Sequence, residues 1–229
     1  DDYGYRALFD QAFPDFPEEE RYSAVTTSFA LGAFLRSFMA TEAPFQDWLK
    51  GDENALTRSQ KEGALLFFGK ARCYNCHSGT ALNAMSFHAL GTKDMYEMGG
   101  LNTSADDPRI LGRGLFTGKE EDMFRFKVPQ LYNMSDAPFY FHGASKRSLE
   151  EVIDYKNEAV TENPRVSQDR ISEKFVPLNL SEQEKAYLKK FLEKSLRDPN
   201  LKRYKPDYIL SGFCFPNNDE QSRIDLGCN

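Results

Sequence analysis

Two cysteines three positions apart, followed directly by a histidine, form the run Cys73-Tyr74-Asn75-Cys76-His77. At this spacing each thiol can form a thioether to a vinyl group of one haem, and the adjacent imidazole can reach the iron as its proximal ligand. The run therefore predicts one covalently attached haem c, bound through Cys73 and Cys76 with His77 on the iron.

Two other chemistries also use paired cysteines. A structural zinc site needs four ligands, and the sequence contains no second CxxC pair and no HxxxH pair that would complete one. A thioredoxin-like dithiol needs a βαβ setting, which the pattern around Cys73 lacks. Both alternatives stay open from the sequence, and haem attachment is the leading interpretation.

The overall composition excludes several classes of protein. Of 229 residues, 40% are hydrophobic and 28% are charged, which is typical of a folded chain. The net charge of −6 and the lack of a basic cluster argue against a nucleic-acid or anionic-membrane partner. Apolar runs such as 64–68 are far shorter than the roughly 20 residues of a membrane span. The start at Asp1, without Met or a signal-peptide pattern, favours a processed or trimmed chain or part of something larger.

Apolar periodicity predicts a helix from about Tyr22 to Met39, followed by a loop over 41–56. The segment 78–147 is rich in turn residues and is predicted to be mostly loop, a length that is unusual unless it serves a site. We expect a mainly α fold, a c-type cytochrome domain with long irregular haem-wrapping loops and few or no strands. Three capping boxes predict helix starts, at Thr57 with Gln60, Ser148 with Glu151 and Ser181 with Glu184.

Three parts of the chain are expected. Residues 1–56 form an N-terminal helical segment that packs on the haem domain, 57–200 form the c-type cytochrome haem domain, and 201–229 form a C-terminal tail. A disulfide between Cys214 and Cys228 would close that tail and stabilise it by about 3 kcal/mol, with two free thiols as the alternative. Disulfides persist in oxidising compartments, and bacteria attach haem covalently outside the cytoplasm, so we expect a periplasmic or cell-surface location.

The distal ligand of the iron has several candidates in the sequence. His88 and His142 can be ligands, acid–base groups or hydrogen-bonded structural imidazoles. Methionine is a common sixth ligand in c-type cytochromes, although each methionine here is more readily interpreted as packing. The methionines considered are Met85, Met95, Met98, Met123 and Met134.

Several runs resemble the bacterial di-haem cytochrome c peroxidases and their MauG-like relatives. Their order and spacing make the resemblance stronger than any single run, and together they cover nearly the whole chain. The runs are FKVPQLYN at 126–133, APFYFHGAS at 137–145 and LEEV at 149–152, with further likeness at 4–9, 44–45, 69–79 and 215–228.

Members of that family carry two haems on two cytochrome-like domains, whereas this chain has one CxxCH and matches the C-terminal domain. The resemblance therefore implies that a second, peroxidatic haem lies on another chain, was removed or was never present. The family places a sixth ligand, Met or Tyr, on the helix after the Leu-Glu-Glu motif. The matching position falls on Lys156, with Tyr155 as the alternative.

A lysine amine binds iron only when neutral, so burial has to lower the pKa of Lys156 well below about 10.4. Within the same resemblance, His142 and Arg113 are candidates for cofactor binding through hydrogen bonds and neutralisation of the haem propionates. The family also implies calcium at the interdomain face.

The resemblance implies a di-haem peroxidase-type oxidoreductase, active only with a second haem domain. This haem would relay electrons or oxidising equivalents, and the partners would be an electron-donor protein or a protein or peptide substrate. Two alternatives are a monohaem electron-transfer cytochrome and a haem-bearing subunit of a larger redox complex. The sequence does not identify the catalytic residues.

Overall fold

A computed structural model describes residues 4–37, 39–98, 103–201 and 210. Cys214 and Cys228, with their predicted disulfide, lie outside these residues. The chain divides into two compact units, one drawn from Asp1–Met39 and Asn200–Asn229 and the other spanning Ala40–Pro199. The predicted domain bounds at 56 and 200 stay predictions. No helix in the described ranges is long and apolar enough to cross a lipid bilayer.

The first unit contains helices α1 (Tyr5–Ala12) and α2 (Ala24–Ser37). Arg21 anchors the connection between them, because its Nε donates to the Phe16 carbonyl at 2.9 Å and its guanidinium pairs with Asp10. The buried Thr26 hydroxyl donates to the Arg21 carbonyl at 2.8 Å. Helix α2 lies within the predicted helix and confirms it.

The second unit is mainly helical, which confirms the predicted fold class. Its helices are α3 (Pro44–Leu49), α4 (Arg58–Phe68), α5 (Arg113–Thr117), α6 (Leu149–Glu158) and α7 (Glu182–Lys190), and α7 continues as a π-helical turn over Phe191–Ser195. Two-residue strands β1 (Phe87–His88) and β2 (Phe126–Lys127) pair antiparallel, with His88 opposite Phe126. The unit's 3-10 turns in the described residues are Cys73–Asn75, Met95–Met98, Pro108–Leu111, Glu120–Asp122, Met134–Asp136 and Gln168–Arg170.

All three predicted capping boxes are present, at the starts of α4, α6 and α7. The first is representative: Thr57 N donates to Gln60 Oε1 at 2.8 Å, and Gln60 N donates to Thr57 Oγ1 at 3.4 Å. Each box satisfies backbone N–H groups that have no partner inside the helix, which is why helices begin there.

Helix α3 corrects the predicted loop over 41–56. Pro44 occupies the first turn, where its missing N–H costs nothing. Gln46 Oε1 accepts a hydrogen bond from Ala43 N at 2.9 Å, although Ala43 has no side-chain oxygen to complete the exchange. The start was missed because the sequence lacks Ser, Thr, Asp or Asn at this cap.

The core of the second unit lies where α4 crosses α7. The fully buried rings of Phe67 and Phe191 lie 5.4 Å apart, and Phe45 from α3 meets Phe191 edge-on at 5.1 Å. The crossing is close because Gly63 has no side chain. A Cβ there would lie 2.2 Å from the Tyr187 carbonyl oxygen and 2.7 Å from the Phe191 Cβ.

The substitution Gly63→Ala is therefore expected to lower the free energy of unfolding by about 1 to 3 kcal/mol, because the backbone of α7 has to move away. The matched control is Gly32→Ala in α2, where a Cβ would approach only the flexible end of Arg36 at 3.2 Å. The control should be neutral or stabilising by up to about 1 kcal/mol. Urea unfolding followed by circular dichroism measures both, and equal stability of the two variants would contradict the close crossing.

Candidate haem-binding site

The Cys73–His77 run lies just after the end of α4. Helix α4 ends at Phe68, and Arg72 takes a left-handed conformation with φ 53° that turns the chain. A 3-10 turn then carries the first cysteine, and His77 N donates to the Cys73 carbonyl at 2.9 Å. This tight turn directs Cys73, Cys76 and His77 towards the same cleft.

Two backbone carbonyl groups orient the imidazole of His77. Its Nδ1 lies 3.1 Å from the Leu82 carbonyl oxygen and 3.2 Å from that of Pro129. Carbonyl oxygens only accept, so Nδ1 carries the proton and Nε2 is left with a free lone pair. Burial lowers the pKa of His77 to about 4, so the ring is neutral at pH 7. A neutral imidazole whose second nitrogen is fixed by a hydrogen bond is the form that binds metal.

The cleft is large and mostly apolar. About 850 Å³ of empty space lies between its walls, and part of that space is open to solvent. Its walls come from α4, α6, α7 and the segment 172–178, so a flat cofactor would be packed on several sides. Among the apolar side chains that line it are Phe67, Leu131, Ile153, Phe175, Leu188 and Leu192.

The two cysteines are free thiols and half-buried in the cleft wall. Burial raises the pKa of the Cys73 thiol to about 12. A redox-active dithiol needs a lowered thiol pKa, so this environment disfavours the thioredoxin-like alternative. Two unpaired thiols beside one apolar cleft fit the thioether linkages that the motif predicts.

Lys156 lines the same cleft as the motif. It lies on α6 three and four residues after Ile153 and Val152, so the three side chains share one helix face. Burial lowers the pKa of the amine to about 8. Its Nζ lies 5.4 Å from the ring of Phe175 and has no hydrogen-bond or ion-pair partner within the described ranges.

Tyr155, the alternative to Lys156, faces a different direction. Its side chain is buried and its hydroxyl donates to the Leu90 carbonyl oxygen at 2.6 Å. Its ring packs against Phe141 and Phe175, with centroids 5.4 and 5.2 Å away. The tyrosine therefore supports the wall from behind, while its neighbour Lys156 faces the cleft.

His142 and Arg113 are not among the side chains that line the cleft. The ring of His142 stacks on Phe126 at 3.6 Å, and its Nε2 lies 3.7 Å from the buried carboxylate of Asp94. Arg113 pairs with Asp122 at 3.1 Å and lies over the ring of Phe87. Their predicted part in cofactor binding stays a prediction.

The other candidates for an iron ligand also differ in whether they line the cleft. Met134 lines the cleft, whereas Met85 is 68% exposed. Met134 lies five residues after Pro129, whose carbonyl contacts His77. His88 does not line the cleft but is bonded to Ser172, which does.

Sequence reasoning missed several parts of the site. The carbonyls that orient His77 come from residues whose side chains give no signal, although Pro129 falls inside one of the runs that carry the family resemblance. Arg72, Ser172 and Lys174 also line the cleft. Nothing local marks the last two, because the fold brings them to the motif from about a hundred residues away.

Among the known proteins similar to this chain are proteins named MauG and cytochrome c peroxidase. The chain is 34% identical over 198 residues to the methylamine utilization protein MauG of Methylorubrum extorquens. The match covers 86% of this chain and 50% of that protein. It is 36% identical over 132 residues to the cytochrome c peroxidase Ccp of Escherichia coli, a match that covers 58% of this chain and 27% of that protein. No family model matches the chain.

Solved structures agree. A MauG-like protein associated with microbial copper homeostasis superposes with a TM-score of 0.66 at 30% identity, covering 86% of this chain and 59% of that one. The chain belongs to the di-haem cytochrome c peroxidase and MauG-like family. The di-haem peroxidase BthA of Burkholderia thailandensis, at 14% identity and a TM-score of 0.57 over 70% of this chain and 47% of that one, shares the fold. The chain spans about half the length of the MauG relatives it matches.

For this member of the di-haem peroxidase and MauG-like family, Tyr155→Phe should lower the free energy of unfolding by about 0.5 to 1.5 kcal/mol, because the half-buried Leu90 residue loses the donor to its carbonyl. Urea denaturation measures the loss, with Tyr74→Phe as an exposed control expected to change nothing. The haem absorption bands of Tyr155→Phe should match those of the wild type. A change in those bands would instead favour Tyr155 as a ligand.

Proposed function

We propose that this chain is a periplasmic or cell-surface c-type haem oxidoreductase domain of the di-haem peroxidase and MauG-like family. It would relay electrons or oxidising equivalents to or from a second, peroxidatic haem that this chain does not carry. One observation carries the proposal: both thiols, the His77 imidazole and the Lys156 side chain line one mostly apolar cleft.

The residues fit a covalently bound haem c. Cys73 and Cys76 would form the thioethers, and the His77 Nε2 would bind the iron because Nδ1 is occupied by two carbonyls. The haem, when bound, supplies one-electron redox chemistry. The protein's part is to exclude water with the apolar walls of α4, α6 and α7, and to hold both iron-facing side chains in position.

We infer that Lys156 is the distal ligand. Its amine faces the cleft, has a pKa lowered to about 8 by burial, and has no competing hydrogen bond or salt bridge among the described residues. Tyr155 is less suited because its hydroxyl donates to Leu90. Two ligands from the protein would leave the iron no open position for peroxide, which favours a relay over a peroxide-binding role.

The relay needs a second site. The matched stretch is about half of each protein named MauG, and a shorter stretch matches a named cytochrome c peroxidase. We therefore assign peroxide chemistry to a second haem domain. The further partners would be an electron-donor protein or a protein or peptide substrate. Calcium at the interdomain face belongs to the same proposal.

The decisive measurement is the absorption and electron paramagnetic resonance spectrum of the purified chain, matured with haem, before and after hydrogen peroxide. We expect one haem per chain that stays attached under denaturing conditions, with a six-coordinate low-spin iron that peroxide leaves unchanged. A high-spin iron that reacts with peroxide would contradict the relay role. Haem that washes off under denaturing conditions would contradict covalent attachment.

Substitutions at Lys156 test the distal ligand. Lys156→Ala should convert the iron to high spin, whereas Lys156→Met should keep it low spin and raise its reduction potential, because a thioether favours the reduced iron. The matched control is Lys174→Ala, since Lys174 also lines the cleft but its Nζ donates to the Asn75 carbonyl at 2.9 Å. A low-spin spectrum in Lys156→Ala, identical to the wild type, would assign the ligand elsewhere.

A further inference from the structure

A hydrogen-bonded chain of three side chains leads away from the cleft. Ser172 Oγ lies 3.0 Å from His88 Nδ1, and His88 Nε2 lies 3.0 Å from Ser86 Oγ. We call these three residues the serine–histidine relay. Both nitrogens of one imidazole are thus bonded to hydroxyl groups, which can donate or accept.

The relay begins at the cleft wall. Ser172 lines the cleft, and its backbone N donates to the Ala89 carbonyl at 2.9 Å, which fixes it beside strand β1. His88 is in that strand, opposite Phe126 of β2. All three relay residues are half-buried, so the relay joins the cleft wall to positions that solvent reaches.

An imidazole in this setting can take up and pass on a proton. In one arrangement the Ser172 hydroxyl donates to Nδ1 while Nε2–H donates to Ser86, and in the other each bond is reversed. When His88 is protonated, both nitrogens donate, and both hydroxyl oxygens can accept. The geometry therefore accommodates the neutral and the charged ring without a rotation of either side chain.

We propose that the serine–histidine relay takes up one proton at His88 when the cofactor in the cleft gains one electron, and releases it when that electron leaves. The electron comes from an external electron-donor protein, which is oxidised as the cofactor is reduced. The proton comes from solvent and forms the second N–H bond of the imidazole. The inference rests on the proposed function, since it requires a redox cofactor in the cleft.

The surrounding charges explain why the electron would control the proton. Burial lowers the pKa of His88, and the positive charges of Lys174 and Arg125 lower it further. Lys156 adds to them only while its amine is charged. The His77 imidazole also interacts electrostatically with the His88 ring. An added electron in the cleft opposes these positive charges, so the ring binds its proton more tightly in the reduced protein than in the oxidised one.

The sign of the effect follows from this difference. Between the pKa of His88 in the oxidised protein and its higher value in the reduced protein, reduction consumes a proton. The reduction potential therefore falls as pH rises through that window, and it is flat above and below. Because the oxidised ring has a lowered pKa, the window opens on the acid side of the usual histidine range.

The test is the reduction potential of the haem-loaded chain as a function of pH, restricted to the range over which the absorption spectrum is constant. That restriction removes any contribution from exchange of the Lys156 ligand. In the wild type we expect the equilibrium constant for reduction to change by up to about tenfold per pH unit inside the window. His88→Gln should abolish this dependence, and Ser172→Ala should weaken it because the polar link to the cleft is lost.

Controls separate the possible failures. Ser78→Ala, at an exposed serine outside the relay, should keep the wild-type dependence. His88→Asn is a second variant in case His88→Gln does not fold, because it retains an amide near the position of Nδ1. A reduction potential that is independent of pH in the wild type would overturn the relay. So would a reduction potential that depends on pH as strongly in both His88 variants as in the wild type. Absence of covalent haem would overturn the proposed function instead.

Discussion

The hydrogen bonds from His77 Nδ1 to the carbonyl oxygens of Leu82 and Pro129 determine what the cleft can bind. They fix the tautomer and direct Nε2 towards the free space. The two acceptors are 47 residues apart in sequence, and Leu82 takes a left-handed φ of 50° to present its oxygen. The long irregular stretch after the motif therefore has a structural task, which is to bring distant carbonyls to one nitrogen.

The second constraint is that the mostly apolar cleft contains the amine of Lys156. The Lys156 amine is enclosed by the cleft and faces aromatic rings at 5.4 and 5.9 Å, which offer a cation only weak compensation for lost water. Burial of an unpaired ammonium is costly, and the lowered pKa expresses that cost. Iron ligation by the neutral amine would remove the cost, so the same residue links the stability of the cleft to its proposed chemistry.

Local chemistry explains which structural predictions succeeded. The three capping boxes were predictable because each is a reciprocal pair of hydrogen bonds across three residues. Helix α3 was not, because its first cap residue, Ala43, has no side-chain oxygen. The predicted role of Arg113 and His142 in cofactor binding is still a prediction, because a side chain's partner depends on tertiary position. Arg113 pairs with Asp122, and His142 lies 3.7 Å from Asp94.

The sequence by itself determined three helix starts and predicts the attachment chemistry, because helix caps and thioether spacing depend on residues within a few positions of one another. Through the family resemblance it also pointed to Lys156, with Tyr155 as the alternative, in the last turn of one helix. Only the tertiary structure decided that Lys156 rather than Tyr155 lines the cleft, and that Ser172 connects it to His88. Those relations join segments dozens of residues apart, and their geometry is set by the packing of α4, α6 and α7 around one apolar space.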